Sequence, residues 1–346
     1  MSAPGGPAGV SAGTRVLVTG GAGFIGMHVA LRLARDGADV VAIDNFDPYY
    51  DVALKEARVR ELARERRIEF RRHDLCDGDA TAALFRDGRF SRVVHLAAQP
   101  GVRYSLVNPG AYLANNVDAF GHVLEGCRHA RVAHLVYASS SSVYGANHTL
   151  PFSEDQRTDT PVSLYAATKK ADEMMAYSYA HLYALAATGL RFFTVYGPWG
   201  RPDMATMIFT RAILEGTPIE VFNHGDMRRD FTYVDDIVEG VARVLAKAPA
   251  PDAATGAPHA IYNIGNNRSV PLGEFIATLE RLLGRRATRV DRPMQPGDVK
   301  DTYASIDRLA ALTGFAPRTT LADGLAAFVD WYRGYYGAAT PAPARP

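Results

Sequence analysis

The chain has 346 residues, of which 38 are Lys or Arg and 37 are Asp or Glu. Charges so nearly balanced exclude a general polyanion binder, so neither nucleic acid nor an anionic membrane is an expected partner and any anion recognition must be local. The length suits one large or two medium domains, and no apolar run approaches the length of a membrane span.

Residues 1–14 are small and rich in Pro and Gly, without a basic segment followed by an apolar core, and read as a flexible tail rather than a signal peptide. Cys76 and Cys127 show neither metal-ligand spacing nor a disulfide framework, which suits a reducing cytoplasm. The first periodic element is a β-rich run, Arg15 to Thr19, which breaks into Gly20-Gly21-Ala22-Gly23-Phe24-Ile25-Gly26. A helical stretch carrying Val29, Leu31 and Leu33 follows and ends at Gly37, and a second strand, Val40 to Ile43, ends in Asp44. Strand, glycine turn, helix and acid-tipped strand form a dinucleotide-binding pattern. Gly20 permits the tight turn, Gly23 lets the backbone approach a pyrophosphate, and Gly26 lets helix and strand pack closely. Asp44 can accept from both adenosine ribose hydroxyls and repels a ribose phosphate, which favours NAD over NADP.

Residues 46–67 form a charged connection, mostly a solvated helix face. Ile68-Glu69-Phe70 leads to Asp74-Leu75, and Arg92 to Val94 runs through His95 to Leu96-Ala97-Ala98. Both end in the polar or small residues that a doubly wound sheet presents at its ligand edge. His134 to Ala138 is a further strand and delivers four serines, Ser139 to Ser142. Then comes Ser163-Leu164-Tyr165-Ala166-Ala167-Thr168-Lys169. On a helix, Tyr165 and Lys169 lie one turn apart on one face, where the ammonium can stabilise a phenolate. Bringing a phenol from its ordinary pKa of about 10 to near 7 takes roughly 4 kcal/mol, and a cationic nicotinamide can supply what Lys169 does not. By itself a Tyr and Lys at this spacing is an ordinary amphipathic surface; the glycine turn and the serines give it meaning.

A buried strand from Leu190 to Val195 opens into Tyr196-Gly197-Pro198-Trp199-Gly200-Arg201-Pro202-Asp203-Met204, a loop too rich in Gly and Pro for core. The remainder alternates short strands (Ile219 to Phe222, Ala260 to Ile264) with helices (Leu272 to Leu283, Leu321 to Tyr335). The expected division is a dinucleotide-binding domain over 15–195, with 230–265 returning to it, a smaller substrate domain from 196–229 and 266–337, and a second tail over 338–346.

The spacing of Gly20, Gly23 and Gly26, with the Tyr165–Lys169 pair, resembles the short-chain dehydrogenase/reductase superfamily, and in particular its extended branch that modifies sugar nucleotides. That resemblance implies an α/β fold, a Rossmann-type doubly wound parallel sheet with a smaller C-terminal α/β substrate domain. It implies NAD held by Gly20, Gly23, Phe24, Ile25, Gly26, Asp44, Asn45, Asp74, Leu75, Leu96, Ala97 and Ala98, together with Tyr165 and Lys169. Counting back from Val143-Tyr144-Gly145, Ser140 matches the hydroxyl that completes the catalytic trio, and Arg229 matches an arginine on the sugar-nucleotide diphosphate. A homodimer through residues 116–128 and 165–183 is expected from the same resemblance.

Sugar-nucleotide dehydratases carry an acidic pair or a Glu directly after the catalytic hydroxyl. Here those positions are Ser141 and Ser142, which cannot act as carboxylate bases, so epimerisation with NAD retained is favoured over elimination. The stretches 191–204, 161–169 and 295–298 are closely similar to the UDP-glucuronate 4-epimerases. On that resemblance Arg201, Thr194, Ser141 and Ser142 receive a substrate carboxylate, which Arg can grip bidentately, while Gln295 and Arg292 lie toward the diphosphate. A UDP-glucose or N-acetylhexosamine 4-epimerase is the alternative. A UDP-glucuronate decarboxylase and a cofactor-sensing regulator without catalysis stand further off.

Overall fold

The computed structural model describes residue 10, residues 12–294 and residues 299–337. Seven strands form one parallel sheet in the order β10-β6-β5-β4-β1-β2-β3. They are β1 (Arg15–Thr19), β2 (Asp39–Asp44), β3 (Ile68–Arg72), β4 (Arg92–His95), β5 (His134–Ser140), β6 (Ala187–Phe192) and β10 (His259–Ile264). β1, β5 and β6 are almost wholly buried runs, as strands covered by helices on both faces must be. Two separate apolar clusters line the two faces, one around Val16, Val18 and Leu33 and the other around Leu17, Val93 and Phe120. That is the alternation of a strand that packs both ways.

The order reverses at β1, with β2 on one side and β4 on the other. Such a switch point opens a crevice beyond the carboxyl ends of the strands. The glycine turn after β1, Leu96 to Ala98 after β4 and the serines ending β5 all lie at that edge. The fold is the doubly wound α/β class that the strand pattern implies.

The chain leaves this sheet at Phe193. Residues read from sequence as one strand split into β6 and β7 (Thr194–Tyr196), and β7 joins a three-stranded sheet with β9 (Arg228–Tyr233) and β11 (Ser269–Pro271). β9 therefore stays outside the large sheet, and the return to the main layer begins with the Val234–Leu245 helix, which packs on the Phe24–Arg35 helix. β8 (Ile219–Phe222) pairs in parallel with β12 (Arg289–Arg292) as a further small sheet. A third apolar cluster, including Phe231, Phe275 and Phe328, joins the three-stranded sheet to the C-terminal helices. The folded chain begins before Arg15: Val10 is buried in the first cluster, and the Gly13 N–H donates to the Gly37 carbonyl at 3.0 Å. Among the described residues no helix is long and apolar enough to cross a membrane.

Candidate active site

The turn after β1 is as tight as its glycines allow. Gly20 has φ of +70°, and a Cβ there would lie 2.8 Å from the Ala97 nitrogen on β4's extension. A Cβ on Gly26 would lie 2.0 Å from the Gly20 carbonyl oxygen, a separation no structure tolerates. The Phe24–Arg35 helix begins at Gly23 with no side-chain cap. Its first N–H groups and its dipole are thus directed at the crevice, as a phosphate site requires. The Thr19 hydroxyl accepts from the Leu96 and Ala97 N–H groups (3.2 and 3.1 Å), fixing the floor between β1 and β4.

Asp44 ends β2, 9% exposed; it accepts from the Phe46 N–H and lies 3.6 Å from Lys55. Asn45 donates to Asp74 at 3.4 Å, and Asp74 also accepts from the Cys76 N–H, so the ends of β2 and β3 are joined. Leu75 is buried and Ala98 half-buried. A dinucleotide fits this edge on geometry alone: a side-chain-free cradle, a free helix start and a carboxylate at the neighbouring strand end.

Ser163 caps the Leu164–Tyr183 helix by accepting from the Ala166 N–H. On that helix Tyr165, Lys169 and Glu173 follow at four-residue spacing along one face. Glu173 is the anchor of the row. Buried, it accepts two bonds from Arg191 of β6 (2.8 and 2.9 Å) and one from Ser139 of β5 (2.6 Å). Burial works to raise its carboxyl, but Arg191 and Ser139 outweigh it and hold the group below the usual carboxylate range. The rotation of the helix against the sheet is therefore set beneath the Tyr165–Lys169 pair.

Lys169, 2% exposed, donates to the Ala138 carbonyl (3.1 Å) and to Asp172 (3.0 Å). Its ammonium is thus held against the end of β5 rather than reserved for the phenol, with one donor left over. Asp172 is 1% exposed, and burial pushes its carboxyl up to about 6 in spite of Lys169. Ser140 lies two residues beyond Ala138, its hydroxyl accepting from the Ser142 N–H at 3.1 Å. Ser141 and Ser142 form the first turn of a short 3-10 helix and are half-buried. Tyr165 is half-buried and meets Tyr112 edge to face at 6.1 Å.

Asn116 lies in a π-helical turn, Leu113–Asp118, and was not apparent as a site residue from sequence. It exchanges hydrogen bonds with the Gln99 backbone (2.7 and 3.1 Å) and donates to the Thr168 hydroxyl (3.0 Å). The extra residue of a π turn re-aims one side chain. Here it ties the loop after β4 to the Tyr165 helix.

On the loop after β7, Arg201 is held by Asp203 through Nε (3.0 Å) and Nη2 (2.5 Å). Burial opposes its charge, yet Asp203 and then the Tyr49 and Tyr165 phenols raise its pKa above the ordinary arginine value. A chain of contacts links Arg201 to Tyr165: Asp203 to the Tyr49 hydroxyl, then the Tyr49, Tyr104, Tyr112 and Tyr165 rings in succession. The guanidinium is therefore closed along its Nε–Nη2 edge by a protein carboxylate. Thr194, half-buried, opens β7 and pairs with Phe231.

The arginines read as diphosphate ligands have protein partners. Arg229 donates to the carbonyls of Arg228 and Lys300 (3.0 and 2.7 Å), and Arg292 pairs with Glu220 across the β8–β12 ladder (3.0 Å). Gln295 lies outside the described residues. Among the described residues no cluster of His, Cys, Asp and Glu could hold a metal ion.

Residues 16–265 match the family model described as NAD dependent epimerase/dehydratase family. The chain belongs to that family. It is 52% identical over 332 residues to an uncharacterised 37.6 kDa protein of Escherichia coli O111:H-, covering 93% of this chain and 99% of that one. It is 48% identical over 334 residues to UDP-glucuronate 4-epimerase 2 of Arabidopsis thaliana, covering 94% and 77%. The crystal structure of UDP-glucuronic acid 4-epimerase from Bacillus cereus, in complex with UDP-glucuronic acid and NAD, superposes with a TM-score of 0.85 at 34% identity, covering 93% of this chain and all of that one.

Proposed function

We propose that this chain is an NAD-dependent 4-epimerase that interconverts UDP-glucuronate and UDP-galacturonate. The observation that carries this reading is a combination: Arg201 is linked to Tyr165 through Asp203 and the Tyr49, Tyr104 and Tyr112 rings, while the positions after Ser140 hold Ser141 and Ser142 and no carboxylate. The named relatives act in its favour.

NAD, when bound along the glycine turn, supplies a hydride acceptor and donor at the sugar's C4. The chain's own residues handle the proton and the orientation. Tyr165 takes the C4 hydroxyl proton and later returns it, with Ser140 bridging sugar oxygen and phenol. Lys169 favours the anionic phenol by its charge. With no carboxylate beside Ser140, nothing withdraws a proton next to the ketone, so the ketone turns in the site and is reduced on its other face. Arg201, Thr194, Ser141 and Ser142 receive the C6 carboxylate. A 4-ketone with that carboxylate is a β-keto acid, and holding the carboxylate near the carbonyl plane keeps the breaking C–C bond out of alignment with the π system. Arg229, Arg292 and Gln295 serve the diphosphate, with 196–229 and 266–337 as the sugar-nucleotide side.

A homodimer fits the exposed apolar residues Leu113, Met174, Leu182 and Tyr183, which mark the Leu164–Tyr183 helix and the turn before its neighbour. Two free cysteines suit the cytoplasm.

The test is proton NMR of the purified protein with UDP-glucuronate and, separately, UDP-glucose, without added reductant. UDP-galacturonate from the first, and little turnover of the second, is the expected result. UDP-galactose alone would overturn the substrate, and a pentose product would overturn the role given to Ser141 and Ser142.

A further inference from the structure

Arg201 is supported by residues from three loops that are far apart in the chain. Asp203 takes its Nε and Nη2 edge, and the Tyr49 hydroxyl, from the loop after β2, donates to Asp203 Oδ2 at 3.1 Å. The Tyr49 ring rests against Tyr104 with centroids 4.8 Å apart. Gly101, from the loop after β4, leaves the space: its φ is +97°, and a Cβ there would lie 2.9 Å from the Tyr49 hydroxyl. The Gly101 carbonyl in turn accepts from Tyr112, the ring that meets Tyr165.

We infer that Tyr49 and Asp203 are positioning residues that fix the plane of the Arg201 guanidinium and thereby decide that the substrate carboxylate is epimerised with, rather than lost from, the sugar. This rests on the proposed UDP-glucuronate activity and deepens it. A guanidinium has two edges suited to a carboxylate. The Nε–Nη2 edge is spent on Asp203, and the Nη1–Nη2 edge remains for a second carboxylate. An arginine held by one edge cannot swing to follow its ligand, so the carboxylate it grips is held in one plane.

Placing two carboxylates on one cation carries a cost, and Tyr49 reduces it by donating to Asp203 Oδ2. The device does not titrate in the working range. Burial and Asp203 push the Tyr49 phenol up to about 12; Asp203, raised by burial, is brought below its ordinary value by Arg201 and Tyr49. Tyr49 remains a donor and Asp203 an anion throughout.

If the plane is released, the 4-keto uronate can align its C5–C6 bond with the carbonyl. That bond breaks, its electron pair enters the C4 carbonyl as an enolate, carbon dioxide leaves, and C5 takes a proton from water. Return of the hydride taken from C4 then gives a UDP-pentose, so the net change is one proton in and one carbon dioxide out.

The test compares wild type, Tyr49→Phe and Asp203→Asn as purified enzymes with retained NAD. It records kcat and KM for UDP-glucuronate and for UDP-glucose, carbon dioxide release, and Tm. Both variants are expected to lose roughly tenfold in kcat/KM on UDP-glucuronate, the scale of one hydrogen bond to a charged group, and to release carbon dioxide with a pentose product. Their residual turnover of UDP-glucose should match the wild type. Equal losses on both sugars without carbon dioxide would show a merely structural role and overturn the inference, as would unchanged kinetics. A wild type that leaves UDP-glucuronate untouched defeats the proposed substrate itself, whatever the variants do.

Discussion

The glycine turn and the cluster around Arg201 are built on opposite plans. At the cofactor turn, Gly20, Gly23 and Gly26 lie within one short stretch, and the closest approaches at all three are to backbone atoms, with 2.0 Å between a Cβ on Gly26 and the Gly20 carbonyl. Around Arg201, Asp203 and Tyr49 meet the guanidinium across separate loops through side chains, over the space that Gly101 leaves. A backbone cradle has no slack, since a packed main chain can yield only by moving whole elements. A side-chain cluster can be retuned one residue at a time.

The comparison is broken most severely by Gly26→Ala. The methyl has no room, so we expect a loss of at least about 4 kcal/mol in cofactor binding, roughly a thousandfold in affinity, read as purified protein without NAD absorbance. Retained NAD would mean that the turn is less rigid than its contacts imply. Next in size is Glu173→Ala, which leaves Arg191 charged and buried without its partner; we expect about 3 kcal/mol of lost stability by urea denaturation. Because Glu173 anchors the helix that carries Tyr165 and Lys169, kcat should fall as well. If NAD is kept while kcat falls, this helix belongs functionally with the sugar end.

The smallest effect concerns Asp172. Its folded pKa of about 6 lies above that of an unfolded aspartate, so the folded chain holds a proton that the unfolded chain has released. The group's contribution to stability is therefore complete below about pH 4 and is lost as the pH rises through its folded pKa. Asp172→Asn removes that dependence. The Tm of the variant relative to wild type should climb between pH 5 and pH 8, and a difference independent of pH would show that Asp172 does not titrate there.

Some of this arrangement is readable along the chain because its physics is local. A tight turn needs glycine at Gly20 whatever lies around it, a strand period marks β1 and β2, and an acid at Asp44 follows at a set distance. Even Glu173 continues the four-residue row of Tyr165 and Lys169 and is visible in the helix periodicity. Asp203 stands two residues from Arg201, but nothing in the order of residues says that it closes back on that guanidinium. Tyr49 gives no signal at all in a connection that reads as a solvated face, and Gly101 is one glycine among 31.

By itself, then, the sequence determined the doubly wound α/β class, the dinucleotide edge and the Tyr165–Lys169 face, since each follows from spacing within one or two neighbouring elements. Only the tertiary structure decided that Phe193 divides a strand between two sheets, that Lys169 is shared with Asp172, and that Arg201 is held by Asp203 and Tyr49. Those contacts join residues that chain order separates, and their geometry exists only after the loops at the sheet edge have packed together.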